Sequence, residues 1–155
     1  MKKTLVLALA MGFVMVLGGV AMAADTNTLT VQASVTGTCK FSTGASTLNF
    51  GALDPSLATN PSATTTTQFW CTKGVSTDVI AAGNGLNFAG GKRQMKDAVS
   101  TDVIPYTLTL TKDGNSNTGP AAPRILTIDG SILNSDYTGK SAGSYSDTVV
   151  LSITP

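Results

Sequence analysis

Histidine and glutamate are absent from this 155-residue chain, and charged residues of every kind make up 12 % of it. Without histidine, no Ser/His/Asp or Cys/His nucleophile system can be assembled. The only cysteines are Cys39 and Cys71, and such a pair without histidine does not make a usual zinc site. Paired carboxylates could still serve glycoside hydrolysis. Nothing in the spacing of Asp54, Asp78, Asp97, Asp102, Asp129, Asp136 and Asp147 favours it, and they are expected to be solvated loop and turn residues. Gly90-Gly91-Lys92 has no strand-to-helix context and is not a phosphate loop. No window carries a helical period of useful length. These absences argue against an enzyme and imply neither a metal nor a cofactor.

The first 24 residues read as a targeting segment. Lys2 and Lys3 give a positive start, Leu5–Leu17 is an unbroken apolar run, and Ala21-Met22-Ala23 is a small-x-small cleavage site. An uncleaved membrane anchor is the alternative, since the run approaches spanning length. Cleavage after Ala23 makes residues 1–23 a signal peptide and leaves a mature chain long enough for one domain with a core. Removing Lys2 and Lys3 leaves eight Lys and Arg against nine Asp. A balance this even points to neither nucleic acid nor an anionic membrane. Export also bears on the cysteines. An even count in an oxidising compartment favours a Cys39–Cys71 disulfide, with two free buried thiols as the alternative.

The mature chain reads as strands almost throughout. Thr38–Ser42 holds the first cysteine, and Thr47–Gly51 alternates briefly. Asp54-Pro55 and Asn60-Pro61-Ser62 are turns. Thr64–Thr72 is β-branched and aromatic. Thr77–Ala82 precedes Gly83-Asn84-Gly85, a hairpin signal. Arg93–Ala98 is a weaker strand. Val103–Thr111 alternates well, and Pro105, which cannot donate to a ladder, places that end at an edge or strand start. Ile125–Ile132 puts Leu126, Ile128, Gly130 and Ile132 on one face. Loops are expected over Asp113–Pro123 and Ser135–Gly143. A last strand spans Tyr145–Thr154, with Val149, Leu151 and Ile153 on one side. Many short strands with turn signals between them indicate an all-β sandwich.

Three stretches carry functional questions. Asp113-Gly114-Asn115-Ser116-Asn117 starts like a calcium loop, but Thr118 stands where the turn glycine belongs and Arg124 where the bidentate Glu belongs. A polar loop is the simpler reading. Trp70 precedes Cys71 in a strand and so points away from Cys71 and Phe69; facing outward, it is a candidate surface contact. Thr28–Val35 alternates strictly, with Leu29, Val31, Ala33 and Val35 on one face and Thr30, Gln32 and Ser34 on the other. A strand with one apolar face must bury it, in its own domain or in a neighbour's.

Five motifs, in order, resemble the spore coat protein U family, which includes major subunits of archaic chaperone–usher pili. They are Leu48-Asn49-Phe50-Gly51, Cys71-Thr72-Lys73-Gly74, Arg93-Gln94-Met95, Pro105-Tyr106-Thr107-Leu108 and Gly143-Ser144-Tyr145-Ser146-Asp147-Thr148. Relatives tend to finish on an aromatic residue, whereas Pro155 ends this sequence. The resemblance implies an incomplete immunoglobulin-like β-sandwich, its final strand missing and supplied in trans. Residues 24–36 would be the donor strand and residues 37–155 the pilin domain. The implied function is a structural pilus subunit that polymerises by donor-strand exchange, for adhesion and biofilm formation. Implied partners are like or related pilin subunits, a periplasmic chaperone, an outer-membrane usher and a host or abiotic surface. The route would run through the periplasm to the cell surface. The alternatives are a secreted monomeric module that binds carbohydrate or a surface, with Thr28–Val35 paired in its own sandwich, and a spore or outer coat protein.

Overall fold

A computed structural model describes residues 24–155; the expected signal peptide, residues 1–23, lies outside the described residues. The chain divides after Ala33. Residues 24–33 have no regular secondary structure and are exposed. The unit Ser34–Pro155 holds eight strands and a single-turn helix. The strands are β1 (Cys39–Phe41), β2 (Ser62–Cys71), β3 (Val79–Ala82), β4 (Arg93–Asp97), β5 (Val103–Lys112), β6 (Arg124–Ser131), β7 (Tyr145–Ser146) and β8 (Leu151–Thr154). Helix α1 (Asn134–Tyr137) interrupts the stretch expected to be loop.

Six strands form one antiparallel sheet in the order β1-β2-β6-β5-β4-β7, and β3 and β8 form a second. Strand periodicity decides what each face buries. Thr67, Phe69 and Cys71 of β2 and Leu126, Ile128 and Gly130 of β6 turn inward, as the alternation in the sequence requires. Phe69, Cys71, Leu126 and Ile128 form one buried cluster, and Ile104, Tyr106, Ile132 and Tyr137 a second. Each large apolar side chain buried this way contributes about 1.5–3 kcal/mol. The result is an all-β, immunoglobulin-like sandwich.

Pro105 sits where its missing N–H does no harm. It faces Gln94 of β4, whereas pairing with β6 begins only at Thr107. The long C-terminal strand is broken in two. Tyr145–Ser146 pairs with β4 in the large sheet, and Leu151–Thr154 pairs with β3 in the small one. The alternation nevertheless persists, and Tyr145, Asp147, Val149, Leu151 and Ile153 all turn inward.

Two further expected elements differ. Thr47–Gly51 forms no strand, although Leu48 and Phe50 turn inward and Thr47 and Asn49 outward. The Asn49 side chain captures the Gly51 N–H at 2.9 Å, and Gly51 adopts φ +72°, so the chain turns before a ladder can form. Gly83-Asn84-Gly85 closes no hairpin with β4, because β3 pairs with β8 instead.

Candidate functional site

The cysteines meet where β1 joins the sheet. Cys39 lies opposite Cys71 in the ladder, and the two are joined by a disulfide. This side of the core is only partly covered. Around the buried cluster of Phe69, Cys71, Leu126 and Ile128 stand Cys39, Phe41, Val75, Ile80, Leu108, Leu110, Leu151 and Ile153, all half-buried. β1 pairs only with β2 and β8 only with β3. β1 and β8 approach each other, yet they share no ladder, so each presents a free edge among the described residues. Gly37, just before β1, lies beside the chain's last residue: a Cβ there would stand 3.2 Å from Val75 Cγ2 and 3.9 Å from Pro155 Cβ. An extended peptide can pair with a free strand edge and cover half-buried apolar side chains beside it.

The segment Thr28–Val35 forms no strand in the single chain. Leu29, Val31 and Val35 are 84 %, 82 % and 86 % exposed, and Ala33 is exposed as well. A strand is a paired state, and this segment joins no ladder among the described residues. Trp70 turns away from Cys71, opposite Lys40, and is half-buried rather than fully outward.

The solvated-aspartate expectation fails at two positions. Asp78 and Asp97 are buried, and the structure shows why. Arg124, itself buried, donates from Nε to Asp113 Oδ1 at 2.8 Å and from Nη2 to the Asp113 carbonyl at 2.6 Å. Its Nη1 reaches Asn117 Oδ1 at 3.3 Å and Asp78 Oδ1 at 3.5 Å. Lys112 Nζ reaches the other Asp78 oxygen at 2.9 Å. The guanidinium also lies 5.0 Å above the Phe69 ring. Burial works against charge on both acids. The donors outweigh it: Lys112 and Asn117 hold Asp78 below the usual carboxylate range, and the Ile125 N–H, Arg124 and Asn115 hold Asp113 at about 2. The calcium-like loop thus encloses its own cation, the Arg124 side chain.

Asp97 accepts from the N–H groups of Ser100 (2.6 Å) and Val99 (3.2 Å), which hold its carboxyl low. Its Oδ1 fills the space where a Cβ on Gly143 would be. Asp147 accepts from Tyr106 Oη at 2.6 Å and from the Leu86 and Asn87 N–H groups at 2.9 and 3.3 Å. Burial, then this carboxylate, pushes the Tyr106 phenol up. Gly85, at φ +86°, has no room for a side chain against Asp147. The motif Gly143–Thr148 is therefore a fastening: Asp147 clips the β3–β4 connection to β5, and Gly143 clears room for Asp97. No group of acidic and cysteine residues among those described could hold a metal ion. Nor is any helix among them long and apolar enough to cross a membrane.

A two-sheet antiparallel sandwich with one disulfide and one open flank defines the class, an immunoglobulin-like domain with a partly uncovered core. Within that class, the chain belongs to the Spore Coat Protein U domain family, which matches residues 25–152. Among solved structures it is similar to the chaperone–tip adhesion subunit pre-assembly complex, CsuC–CsuE, of the archaic chaperone–usher Csu pili of Acinetobacter baumannii. Identity is 20 %, the TM-score is 0.49, and the match covers 77 % of this chain. This chain spans 40 % of that solved chain. No curated protein matches the sequence.

Proposed function

We propose that this chain is a structural subunit of a chaperone–usher pilus, assembled by donor-strand exchange and serving adhesion and biofilm formation. The observation that carries the reading is the open flank, where half-buried apolar side chains surround a core cluster and β1 and β8 each keep an unpaired edge among the described residues. Residues 37–155 are the accepting domain, and residues 24–36 the segment given to the next subunit. In that segment Leu29, Val31, Ala33 and Val35 have the period-two spacing that an open sandwich requires of an inserted strand. A periplasmic chaperone covers the flank first, and an usher passes the subunit to the cell surface. Residues 1–23 direct export.

Substitutions on the two faces of the segment test this. Val31→Asp would bring a carboxylate into an apolar cleft, at a cost of several kcal/mol unless it protonates. Thr30→Asp stays in water. Surface pili are expected to be lost with Val31→Asp and kept with Thr30→Asp, while chaperone-bound subunit in the periplasm is unchanged in both. Normal pili from Val31→Asp would remove the segment from assembly. Loss of the chaperone-bound subunit would instead indicate that the segment pairs within its own chain.

A further inference from the structure

The outward face of the large sheet carries a pattern that the core does not explain. β6 lies between β2 and β5, and its two registers bring outward side chains into rows across the three strands. Ser62, Ser131 and Thr107 make the first row. Thr64, Asp129 and Thr109 make the second, and Thr66, Thr127 and Thr111 the third. Strands in a sheet stand about 4.8 Å apart and alternate residues about 6.7 Å. Hydroxyls therefore repeat in two directions around a single central carboxylate. Thr127 and Asp129, on the middle strand, are half-buried, and the other seven residues are exposed. Farther along β2 the same outward line reaches Gln68 and then Trp70, the one tryptophan of the chain. We propose that this face binds a neutral polysaccharide. The proposal goes beyond assembly. These side chains point away from the core around Phe69 and Leu126, so it holds however the open flank is closed.

Chemistry selects the partner. No cation stands in these rows, and Asp129 repels phosphate, so the face suits neither nucleic acid nor an anionic membrane. Nor do the rows hold a large apolar side chain, as the core of a protein interface requires. A sugar chain calls for closely spaced hydroxyl donors and acceptors, with small apolar groups against its C–H faces. Threonine supplies both in one side chain. Being stiff at χ1, it also loses little freedom on binding. Part of the network is already set. Thr64 Oγ1 donates to Asp129 Oδ1 at 2.6 Å, and the Thr107 and Ser131 hydroxyls meet at 2.7 Å. The exposed hydroxyls of Thr66, Thr109 and Thr111 face solvent and are open to a ligand. Twist between neighbouring strands, about 20–25°, is a poor match for a rigid flat crystal face and suits a flexible chain. Where that chain overruns the rows along β2, the half-buried indole of Trp70 offers a surface for a sugar ring.

The test measures binding of cellohexaose, laminarihexaose and isomaltohexaose, neutral glucose chains of three linkages. The protein is used as sheared filaments, or as the mature monomer if cells make no filament. Equilibrium dialysis gives the affinity, and Trp70 emission reports whether the sugar lies on this face. Wild type is expected to bind at least one of the three, with a changed emission and no loss at high salt. Thr66→Val, Thr109→Val and Thr111→Val made together keep the side-chain shape and remove three hydroxyls. Asp129→Asn removes the charged acceptor. Each variant is expected to weaken binding about tenfold or more, while Thr148→Val, exposed between β7 and β8, leaves it unchanged. Failure of wild type to bind any of the three would overturn the inference. So would binding that the triple variant retains in full, or a preference for a sulfated chain over the neutral ones. Lateral bundling of filaments that the triple variant abolishes, with no sugar bound, would give the face to a second copy instead. Filaments that form and bind no sugar would leave donor-strand assembly standing. A monomer that binds would uphold this inference without it.

Discussion

Arg124 shows how one buried cation organises a chain this poor in charge. Its guanidinium faces Asp78, Asp113, Asn117 and the Phe69 ring. It thereby ties the β5–β6 loop to the stretch before β3 and to the core. The sequence marked Arg124 only as the residue that spoils a calcium loop, since no local pattern brings Asp78 to it from 46 positions away. Arg124→Met would leave Asp78 with Lys112 as its ion-pair partner and Asp113 with none, and is expected to cost about 3–5 kcal/mol, the usual result of removing one partner of a buried pair. Urea unfolding of the purified protein measures it, and a change below about 1 kcal/mol would contradict the account. The same cluster gives stability a pH dependence. Folding lowers the pKa of Asp113 from an ordinary 3.8 to about 2, and that of Asp78 in the same direction. Their contribution is complete above the unfolded value and disappears as pH falls from about 4 towards about 2. Acid titrations of stability should show that loss in wild type and a smaller one in Arg124→Met.

At the level of elements, what could be read from the sequence followed period two. β-branched and aromatic residues located β2, and alternation located β5, β6 and β8 with their inward faces, because a buried face selects apolar residues wherever the pleat points inward. The open flank was legible only as a consequence of the family resemblance; no periodicity says which edge stays unpaired. Pairing between distant strands was not legible either, which is why Gly83–Gly85 read as a hairpin. The break at Asp147–Val150 escaped for a different reason: side-chain alternation continues through it while the ladder partner changes from β4 to β3. Thr47–Gly51 had the pattern of a strand but ended in a side-chain turn. Its inward residues still matter. A Cβ on Gly130 would collide with Leu48 Cδ2 and stand 2.7 Å from Phe50 Cζ, so the segment lies directly on β6. Gly130→Val should push it off the sheet and cost about 1–3 kcal/mol. The expected sign is a melting temperature lower by several degrees, with the disulfide intact; an unchanged melting temperature would contradict this packing.

For the molecule as a whole, the disulfide links positions 32 apart in a chain whose core is only partly covered on one side. Replacing both cysteines with alanine is expected to remove about 3–4 kcal/mol by the loop-closure estimate. Much reduced recovery of folded subunit, and a lower urea midpoint for what remains, would register it; an unchanged midpoint would show that the ladder alone holds β1. The position of the bond has a mechanical consequence. In the proposed donor-strand filament, tension would enter each domain through the segment ahead of β1, and β1 is only three residues long. Pulled along its length, so short a strand would shear from its neighbour early. The covalent bridge at Cys39, its first residue, hands the force to Cys71 at the end of β2, a ten-residue strand paired on both sides. The pull would then pass into a strand held by neighbours on both sides, and β1 would be spared it.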